Sequence, residues 1–377
     1  GVVFTNGYAS GYVCAPTRAG LLTGRYQQRF GFYRAPDSRQ GLPLSEVLLP
    51  EVIKEKGYNT AIFGKWHLGL EKPYYPTSRG FDEFYGFLGH GGHDYFDLDC
   101  EPDDKYTCIY RNEKPINDSG YLTDNLAREA CRFIEDNKNN SSPFLLYLPF
   151  NAVHYPLQAP EKDIKKFNTG NEKRDIQLAM LYRMDIAVGN VINKLKETGQ
   201  YENTLIIYFN DNGGASRTAA INTPLRDYKH SVYEGGIRVP FIISWPGKLK
   251  PGINDEPVIS LDIMPTICAA AGIDLPESKI YDGKNILPII NKTQKTPLHE
   301  YLFWDGNDGI WAVRNQKWKL LKNKKGELEL YNLFEDISES ENLAKEYPEI
   351  VSSLSHKYEE WREEMETPMS PGRHLKK

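Results

Sequence analysis

The sequence predicts an α/β fold with a mainly parallel central sheet flanked by helices, followed by a smaller C-terminal subdomain of antiparallel sheet plus helix. Over residues 1–294, continuous apolar runs of strand length alternate with helical patterns, as is typical of parallel strands covered on both faces. After residue 295 the pattern changes to closely spaced short strands and one charged helix. We therefore expect one large domain over 1–294 and a small subdomain over 295–377.

The first half of the chain predicts helices that are followed by strands. Pro16 suits the first turn of a helix through "TRAGLLTG". A short helix over 50–56, with Gly57 as its C-cap, precedes the strand "YNTAIFG". The segment "LTDNLAREACRFIEDNK" precedes the strand "PFLLYLPF", and its apolar residues recur at helical spacing: Leu126, Ala130, Phe133 and Ile134.

The second half continues the alternation and then changes character. An amphipathic helix is predicted over 176–195, before the strand in "NTLIIYFNDNGG". The strand "RVPFIISWPG" and the helical "LDIMPTICAAAG" follow. The C-terminal strands are "YLFWDG", "GIWAVRN", "KWKLLKN" and "ELELYNL", and a charged helix over about 347–365 follows them.

Composition and charge exclude two classes of partner. The chain has 46 basic and 51 acidic residues, a net charge of −5, and no basic run of the kind that binds nucleic acid. Its longest apolar stretches, 144–150 and 239–245, have the length of strands and fall short of the ~18 residues of a membrane helix. We therefore expect neither a nucleic acid nor a membrane as partner.

The five cysteines do not form a fully paired set, and their spacing matches no zinc pattern of the C-x-x-C type. Cys100 and Cys108 flank the polar loop "CEPDDKYTC". They could close a small disulfide in an oxidising compartment, or stay as two unpaired loop thiols.

Candidate site residues follow three predicted strands. Ligands of α/β sheets bind beyond the carboxyl ends of the strands, where "GKWHLG", "NAVHYP" and "NDNGG" lie. Asp211 and Asn212 offer the hard oxygen ligands of calcium or magnesium, although Asp-Asn-Gly-Gly is also good turn chemistry.

The other polar residues at these ends suit an anion and proton transfer. Lys65 and His67 lie between glycines, and His154 lies where an imidazole would be useful in catalysis. Lys229 lies between apolar segments. The alternative for each is a solvated loop residue.

Cys14 lies at the predicted start of a helix. Its side chain there faces unpaired N–H groups and the positive end of the helix dipole. That position favours an anion and lowers the pKa of a thiol, which suits a nucleophile. The alternative is a small buried cysteine.

These motifs resemble those of type I sulfatases, the formylglycine-dependent family in the alkaline-phosphatase-like superfamily. The family pattern C-x-P-S/T-R with a downstream T-G is matched by Cys14, Pro16, Thr17, Arg18, Thr23 and Gly24. The motifs "GKWHLG", "HYPLQAP", "NDNGG" and "EGGIRVPFIISWPG" follow in family order, and the C-terminal segments are also similar. The resemblance therefore covers the whole chain.

The resemblance implies a mechanism. Cys14 would be oxidised to formylglycine by a formylglycine-generating or anaerobic sulfatase-maturing enzyme. One hydroxyl of the hydrated aldehyde would attack the sulfur of a sulfate ester and displace the substrate alcohol, which leaves a sulfated enzyme. The second hydroxyl would then lose its proton, expel sulfate and restore the aldehyde.

The resemblance also implies roles for the other candidates. Asp211, Asn212 and position 14 would bind one calcium ion, and Arg18 would steady the deprotonated diol. Lys65 and Lys229 would bind sulfate oxygens. His154 would bind the sulfate or protonate the leaving alcohol, and His67 would take the proton of the diol.

One family feature lies outside this sequence. Family members carry two further aspartate ligands at the end of a first strand, upstream of "GVVFTNGYAS". Since calcium prefers six to eight oxygen ligands, we expect the chain to be N-terminally truncated and to lack a signal peptide. The family implies a periplasmic or secreted protein.

Two alternative functions are a phosphate or phosphonate ester hydrolase of the same superfamily and an inactive glycan-binding pseudo-sulfatase. The similarity of "CAPTRAGLLTGRYQQRFG" to bacterial sulfatases of sulfated polysaccharides implies a carbohydrate sulfate rather than a small aryl sulfate. Sugar contacts are predicted from two regions, or else these side chains pack on their own loops: His90, His93, Asp94, Tyr95, Trp304, Asp305 and Trp311.

Overall fold

The computed structural model describes residues 1–89, 92–101, 106–294 and 296–370. Backbone contacts divide the chain into two compact units. The first unit comprises Gly1–Asp37, Leu205–Gly214 and Ile221–Lys377, and the second comprises Ser38–Thr204 and Ala215–Ala220. The predicted domain boundary at 294/295 stays a prediction.

The strands and helices are numbered in chain order. The strands are β1 Val2–Phe4, β2 Gly7–Tyr8, β3 Asn59–Lys65, β4 Glu83–Phe87, β5 Ile109–Arg111, β6 Lys114–Ile116, β7 Phe144–Tyr147, β8 Ile206–Phe209, β9 Phe241–Ser244, β10 Gly252–Asn254, β11 Val258–Ile259, β12 Leu302–Asp305, β13 Trp311–Arg314, β14 Trp318–Lys322 and β15 Leu328–Asn332. The helices are α1 Cys14–Thr23, α2 Leu49–Lys54, α3 Leu122–Asp136, α4 Glu161–Ile164, α5 Glu172–Glu197, α6 Glu234–Ile237, α7 Ile263–Ala270, α8 Leu287–Ile290 and α9 Pro348–Glu363.

The first unit contains a mixed sheet in the order β10-β1-β9-β8. Strands β1 and β10 are parallel, whereas β9 runs antiparallel to both β1 and β8. The segment between β8 and β9 holds short helical turns but no crossover helix, so the chain returns antiparallel. The predicted α/β class is confirmed, and β9 is the strand for which the parallel expectation is wrong.

The second unit contains a sheet in the order β6-β5-β4-β3-β7, in which β3 is parallel to both β4 and β7. Helices α3 and α5 pack on each other, and α3 also contacts β3 and β4. Phe63 of β3 meets Phe133 of α3 edge-on, with ring centroids 5.9 Å apart. Helix α5 begins earlier than predicted because Asn171 caps it, accepting a hydrogen bond from the backbone N–H of Arg174.

The predicted antiparallel sheet and helix of the C-terminal part are confirmed. Strands β12 to β15 form an antiparallel meander, and α9 packs on β13 and β14. Trp311 of β13 stacks on Tyr358 of α9, with ring centroids 4.0 Å apart. Elsewhere, Cys100 and Cys108 are joined by a disulfide, the first of the two alternatives that the sequence left open. Within the described ranges, no helix combines the length and apolar character that crossing a bilayer requires.

A fully buried ionic cluster in the first unit ties β14 to α6. The Nζ atom of Lys319 lies 2.8 Å from Glu234 Oε1 and 2.7 Å from Glu339 Oε1. Burial opposes ionisation of Glu234, but the charges of Lys319, Arg314 and Arg238 outweigh it and lower its pKa. Burial raises the pKa of Glu339. The cluster therefore depends on the Lys319 cation.

Lys319→Met is expected to destabilise the protein by about 3–5 kcal/mol, because it leaves two buried carboxyl groups without their shared cation. The urea midpoint, followed by tryptophan fluorescence, measures this change. Lys322→Met, on the same strand but only partly buried, is the matched control. Equal midpoints for the two variants would show that the cluster contributes no net stability.

Candidate active site

Helix α1 places Cys14 at its first position. Val13 caps the helix in an extended conformation without a side-chain hydrogen bond, and the first turn contains no acidic residue. The N–H groups of this turn favour negative charge at position 14. Cys14 is 5% exposed and is not part of a disulfide. The predicted location of the cysteine at a helix N-terminus is thus what the structure has.

Asp211 lies beside the same helix, two residues beyond the end of β8. Its Oδ2 atom accepts hydrogen bonds from Arg18 Nε at 2.9 Å and Arg18 Nη2 at 2.8 Å. Arg18 lies one turn after Cys14, and its side chain is 6% exposed. The pairing of these two charges brings the end of β8 to the first turns of α1.

Asn212 supplies a buried amide oxygen. Its Nδ2 donates to Gly213 O at 2.9 Å, and its Oδ1 accepts no hydrogen bond from the described residues. A buried carbonyl-type oxygen without a donor is costly unless a ligand compensates it. A cation beside Asp211 and Asn212 would do so.

The segment 222–236 lies against this turn. Gly213 donates its N–H to Gly236 O at 2.9 Å, and Lys229 donates its N–H to Gly214 O at 3.0 Å. The Nζ atom of Lys229 lies 4.0 Å from Cys14 Sγ. The first unit thereby gathers Cys14, Arg18, Asp211, Asn212 and Lys229, which are far apart in sequence.

Asn222 holds this segment together, and sequence reasoning missed it. Its Nδ2 lies 3.0 Å from Gly214 O, 3.0 Å from Asp227 O and 3.1 Å from Gly235 O. One side chain thus joins the turn after β8 to both ends of the loop that carries Lys229. An asparagine beside Thr-Pro is ordinary loop composition, so no signal in the sequence could have identified it.

Gly213 has no room for a side chain. An added Cβ would lie 1.8 Å from Gly235 O, a backbone atom that cannot move aside alone. Gly213→Ala is therefore expected to destabilise the protein by about 1–3 kcal/mol and to displace the Asp211–Asn212 turn.

Urea unfolding together with activity measures this effect. Gly189→Ala is the control, because Gly189 lies inside α5 with open space around its Cα. In that variant, the free energy of unfolding is expected to rise by about 0.5–1 kcal/mol. A Gly213→Ala protein with wild-type midpoint and activity would contradict the close approach.

In the second unit, two buried candidate site residues lie at and just beyond the end of β3. Lys65 is its last residue and is 2% exposed, and His67 is 1% exposed. His67 has φ +64°, a left-handed conformation that costs a non-glycine residue about 1 kcal/mol or more. The alternative of solvated loop residues is therefore wrong for both. Strained backbone at a buried histidine is typical of functional sites.

His154 lies beyond β7, within a segment held by its neighbours. Its Nδ1 lies 2.8 Å from Tyr155 O, and since a carbonyl only accepts, Nδ1 carries the proton. Nε2 is then the ring atom that takes up or releases a proton. Tyr95 Oη donates to His154 O at 3.1 Å, and Gly92 packs so closely that a Cβ there would lie 1.6 Å from Tyr155 O.

For the described part of the loop that holds His93, Asp94 and Tyr95, the structure has the second alternative, packing of the loop on itself. His93 is buried, and its ring nitrogens contact Asp94 O and Thr107 O. Asp94 accepts hydrogen bonds from Gln158 and from two backbone N–H groups, and Tyr95 is 0% exposed. These residues support His154 rather than offer a sugar platform. His90 lies outside the described residues.

The C-terminal residues that were considered for sugar binding also make contacts within the protein. Trp304 is fully buried and donates Nε1–H to Ala9 O. Asp305 accepts from Tyr358 Oη and pairs with Arg362. The stacking of Trp311 on α9 takes up one face of its ring. Of the two alternatives that the sequence left open, packing is the one that the structure has for Trp304 and Asp305.

The site fits part of what a divalent cation requires. A carboxylate and a buried amide oxygen are hard ligands of the kind calcium prefers. Among the described residues, no group of three or more His, Cys, Asp or Glu side chains is placed to hold a metal ion. Asp211 and Asn212 thus fit as members of a larger ligand set.

The α/β sheets with a C-terminal antiparallel subdomain are the architecture of the alkaline-phosphatase-like superfamily of ester hydrolases, as the similarity to a solved sulfatase structure shows. Comparison with known proteins narrows the class. The Sulfatase family model matches residues 1–273, and that of N-sulphoglucosamine sulphohydrolase, C-terminal, matches residues 227–364. The chain belongs to the sulfatase family, and the enzyme is a sulfatase.

Individual relatives agree with this membership. The uncharacterized sulfatase YdeN of Escherichia coli (strain K12) is 30% identical over 98% of this chain and 76% of its own length. The arylsulfatase of Hemicentrotus pulcherrimus is 33% identical over 85% of this chain and 60% of its own length. The crystal structure of Ps i-CgsB in complex with k-i-k-neocarrahexaose has a TM-score of 0.92 and 34% identity, over 98% of this chain and 86% of that one.

Proposed function

We propose that this sulfatase cleaves sulfate esters of a sulfated carbohydrate through a formylglycine formed from Cys14, with one calcium ion bound. The main support for this proposal is the position of Cys14 at the start of α1. Its Sγ atom lies 4.0 Å from Lys229 Nζ, and Cys14 lies one helical turn before Arg18, which pairs with Asp211. The similarity to Ps i-CgsB, which binds k-i-k-neocarrahexaose, supports a carbohydrate substrate.

The first unit supplies the nucleophile and its electrostatic surroundings. Oxidation of Cys14 would supply an aldehyde hydrate. One of its hydroxyls would attack the ester sulfur, and the other, on losing its proton, would expel sulfate and restore the aldehyde. The N–H groups of α1 and the Lys229 ammonium stabilise negative charge at position 14 and on sulfate oxygens. Arg18 offsets the charge of Asp211 and steadies the deprotonated nucleophile.

Asp211, Asn212 and position 14 would hold the calcium ion. When bound, such an ion neutralises charge on the sulfate oxygens and the nucleophile. Asn212 Oδ1, buried and without a donor among the described residues, supports this assignment. These residues are three of the six to eight donors that calcium takes.

The roles of Lys65, His67 and His154 rest on the family resemblance. Lys65 binds sulfate oxygens, and His67 takes the proton of the nucleophile when sulfate is released. His154 binds the sulfate or protonates the leaving alcohol. The proton would be given from Nε2, because the N–H of Nδ1 stays engaged with Tyr155 O.

Maturation and location complete the proposal. A formylglycine-generating or anaerobic sulfatase-maturing enzyme is the partner that oxidises Cys14. The family resemblance and the Cys100–Cys108 disulfide support a periplasmic or secreted location, because disulfides persist in oxidising compartments.

A comparison of substrates tests the function. The enzyme, coexpressed with a maturing enzyme and assayed with calcium, is expected to release sulfate from sulfated oligosaccharides faster than phosphate from a matched aryl phosphate. The singly charged sulfate ester suits one divalent cation, whereas a phosphate ester usually relies on more metal charge. Faster phosphate release would identify a phosphate ester hydrolase, and glycan binding without release of either anion would identify a pseudo-sulfatase.

His154→Ala is expected to slow oligosaccharide hydrolysis by about 100-fold or more, and aryl sulfate hydrolysis by much less. A sugar alkoxide needs a proton in order to leave, whereas a nitrophenolate leaves unaided. His356→Ala, an exposed position on α9, is the control. If His154→Ala slowed the hydrolysis of both substrates equally, His154 would not be the general acid.

A further inference from the structure

We propose that Tyr155 and Arg217 form a subsite for an anionic group on the sugar next to the sulfate ester that is cleaved. The guanidinium carbon of Arg217 lies 4.1 Å from the centroid of the Tyr155 ring. Both side chains are exposed, Tyr155 to 46%. The inference rests on the proposed function, because Tyr155 follows His154 directly and its carbonyl holds the His154 ring.

Among the described residues, none accepts a hydrogen bond from the guanidinium of Arg217. Stacking on a ring uses the face of the guanidinium plane and leaves its N–H groups at the edge, where they match a sulfate or a carboxylate. Within the described ranges, no carboxylate pairs with Arg217, whereas Arg111, Arg132 and Arg183 of the same unit are all paired with acidic residues. An anion from outside the chain is the partner that this arrangement fits.

The backbone beneath Tyr155 is fixed by contacts with the segment 92–95. Asn151 Nδ2 donates to His93 O at 2.8 Å, and Tyr95 Oη donates to His154 O. The close approach of Gly92 to Tyr155 O blocks movement from that side. Tyr155 is therefore an exposed ring on a rigid segment, as a contact surface for a sugar requires.

The backbone beneath Arg217 is fixed as well. Arg217 lies in the short helical turn Ser216–Thr218, where Thr218 is buried and its Oγ1 donates to Ala215 O at 2.9 Å. Arg174 at the start of α5 donates to Ala219 O at 3.2 Å. Both members of the pair therefore stand on ordered backbone of the second unit, so an anion meets a preorganised site.

The ligand class follows from this chemistry. Sulfated carbohydrates can carry a second sulfate or a carboxylate on the neighbouring sugar, and either would accept two N–H groups from Arg217. A small aryl sulfate has no such group. The subsite therefore favours substrates with two anionic groups over those with one.

The test measures equilibrium binding on the inactive Cys14→Ala enzyme, so that no turnover is required. Matched oligosaccharides with and without a second sulfate, and with and without a carboxylate, are titrated against Cys14→Ala alone and with Arg217→Ala added. The added group is expected to strengthen binding about 10-fold or more, and Arg217→Ala to remove that gain, because a charge-assisted hydrogen bond is lost. The group whose gain in affinity is lost in Arg217→Ala, the second sulfate or the carboxylate, is the anion that the subsite binds.

Three further measurements sharpen the result. Arg217→Lys keeps the charge but not the planar fork, and is expected to retain only part of the gain. Tyr155→Ala is expected to make the gain in affinity smaller. High salt is expected to reduce the gain in the Cys14→Ala enzyme, but to have no such effect once Arg217→Ala is added. Lys196→Ala removes a similar cation that lies over Tyr201 in the same unit, and is the matched control.

The outcomes are distinct from those of the proposed function. An Arg217→Ala change that weakens every oligosaccharide equally, or none, would overturn the subsite. Absence of sulfate release by the matured wild-type enzyme would instead overturn the proposed function, and the binding comparison would still decide whether the anion site exists.

Discussion

Replacing Cys14 with alanine is expected to reduce sulfate ester hydrolysis on the order of 10⁴-fold or more, because the attacking group is removed. Cys14 occupies the first position of α1 beside Lys229, so no other thiol can take its place. The measurement is sulfate release by the matured enzyme at saturating substrate. Cys131→Ala, at a partly buried position of α3, is expected to keep wild-type activity.

Mass spectrometry separates the chemistry from the fold. In the active wild-type enzyme, the peptide that contains residue 14 should be lighter by about 18 Da, as conversion of the thiol to an aldehyde requires. An active enzyme with an unmodified thiol at position 14 would contradict the formylglycine proposal. A Cys14→Ala enzyme that retains a tenth of wild-type activity would contradict the assignment of the nucleophile.

Asp211→Asn is expected to lower activity by about 100-fold or more, because it removes a charged ligand from the calcium site and the partner of Arg18. From the sequence alone, loss of this carboxylate is expected to have little effect on the fold, since Asp211 follows a strand end. From the structure, we expect Asp211→Asn to lower the free energy of unfolding by about 1.5–3 kcal/mol, because Arg18 is buried and both its hydrogen bonds to Asp211 Oδ2 are charge-assisted.

Calcium titration gives a readout apart from activity. A bound ion stabilises the folded state, so added calcium should raise the unfolding midpoint of the wild-type protein but not that of Asp211→Asn. Asp274→Asn, an exposed position after α7, is the control and should behave as wild type. If calcium stabilised both Asp211→Asn and wild type equally, Asp211 would not be a ligand.

Local sequence patterns were sufficient for most secondary structure. The apolar runs, the helical spacing in α3 and the glycine that ends α1 each act within a few residues, so their effects can be read without the fold. The start of α5 was missed because its first turn is charged and shows no apolar period. The direction of β9 was missed because it depends on pairing with β1 and β8.

The sequence by itself determined the types of the elements, the polar residues at the strand ends and the cysteine at a helix start, because each depends on neighbours along the chain. Only the tertiary structure decided that Arg18 pairs with Asp211, 193 residues away, and that Asn222 joins the site loops. It also decided that Lys65 and His67 are buried. Burial and pairing between distant residues are set by packing, which local patterns do not encode.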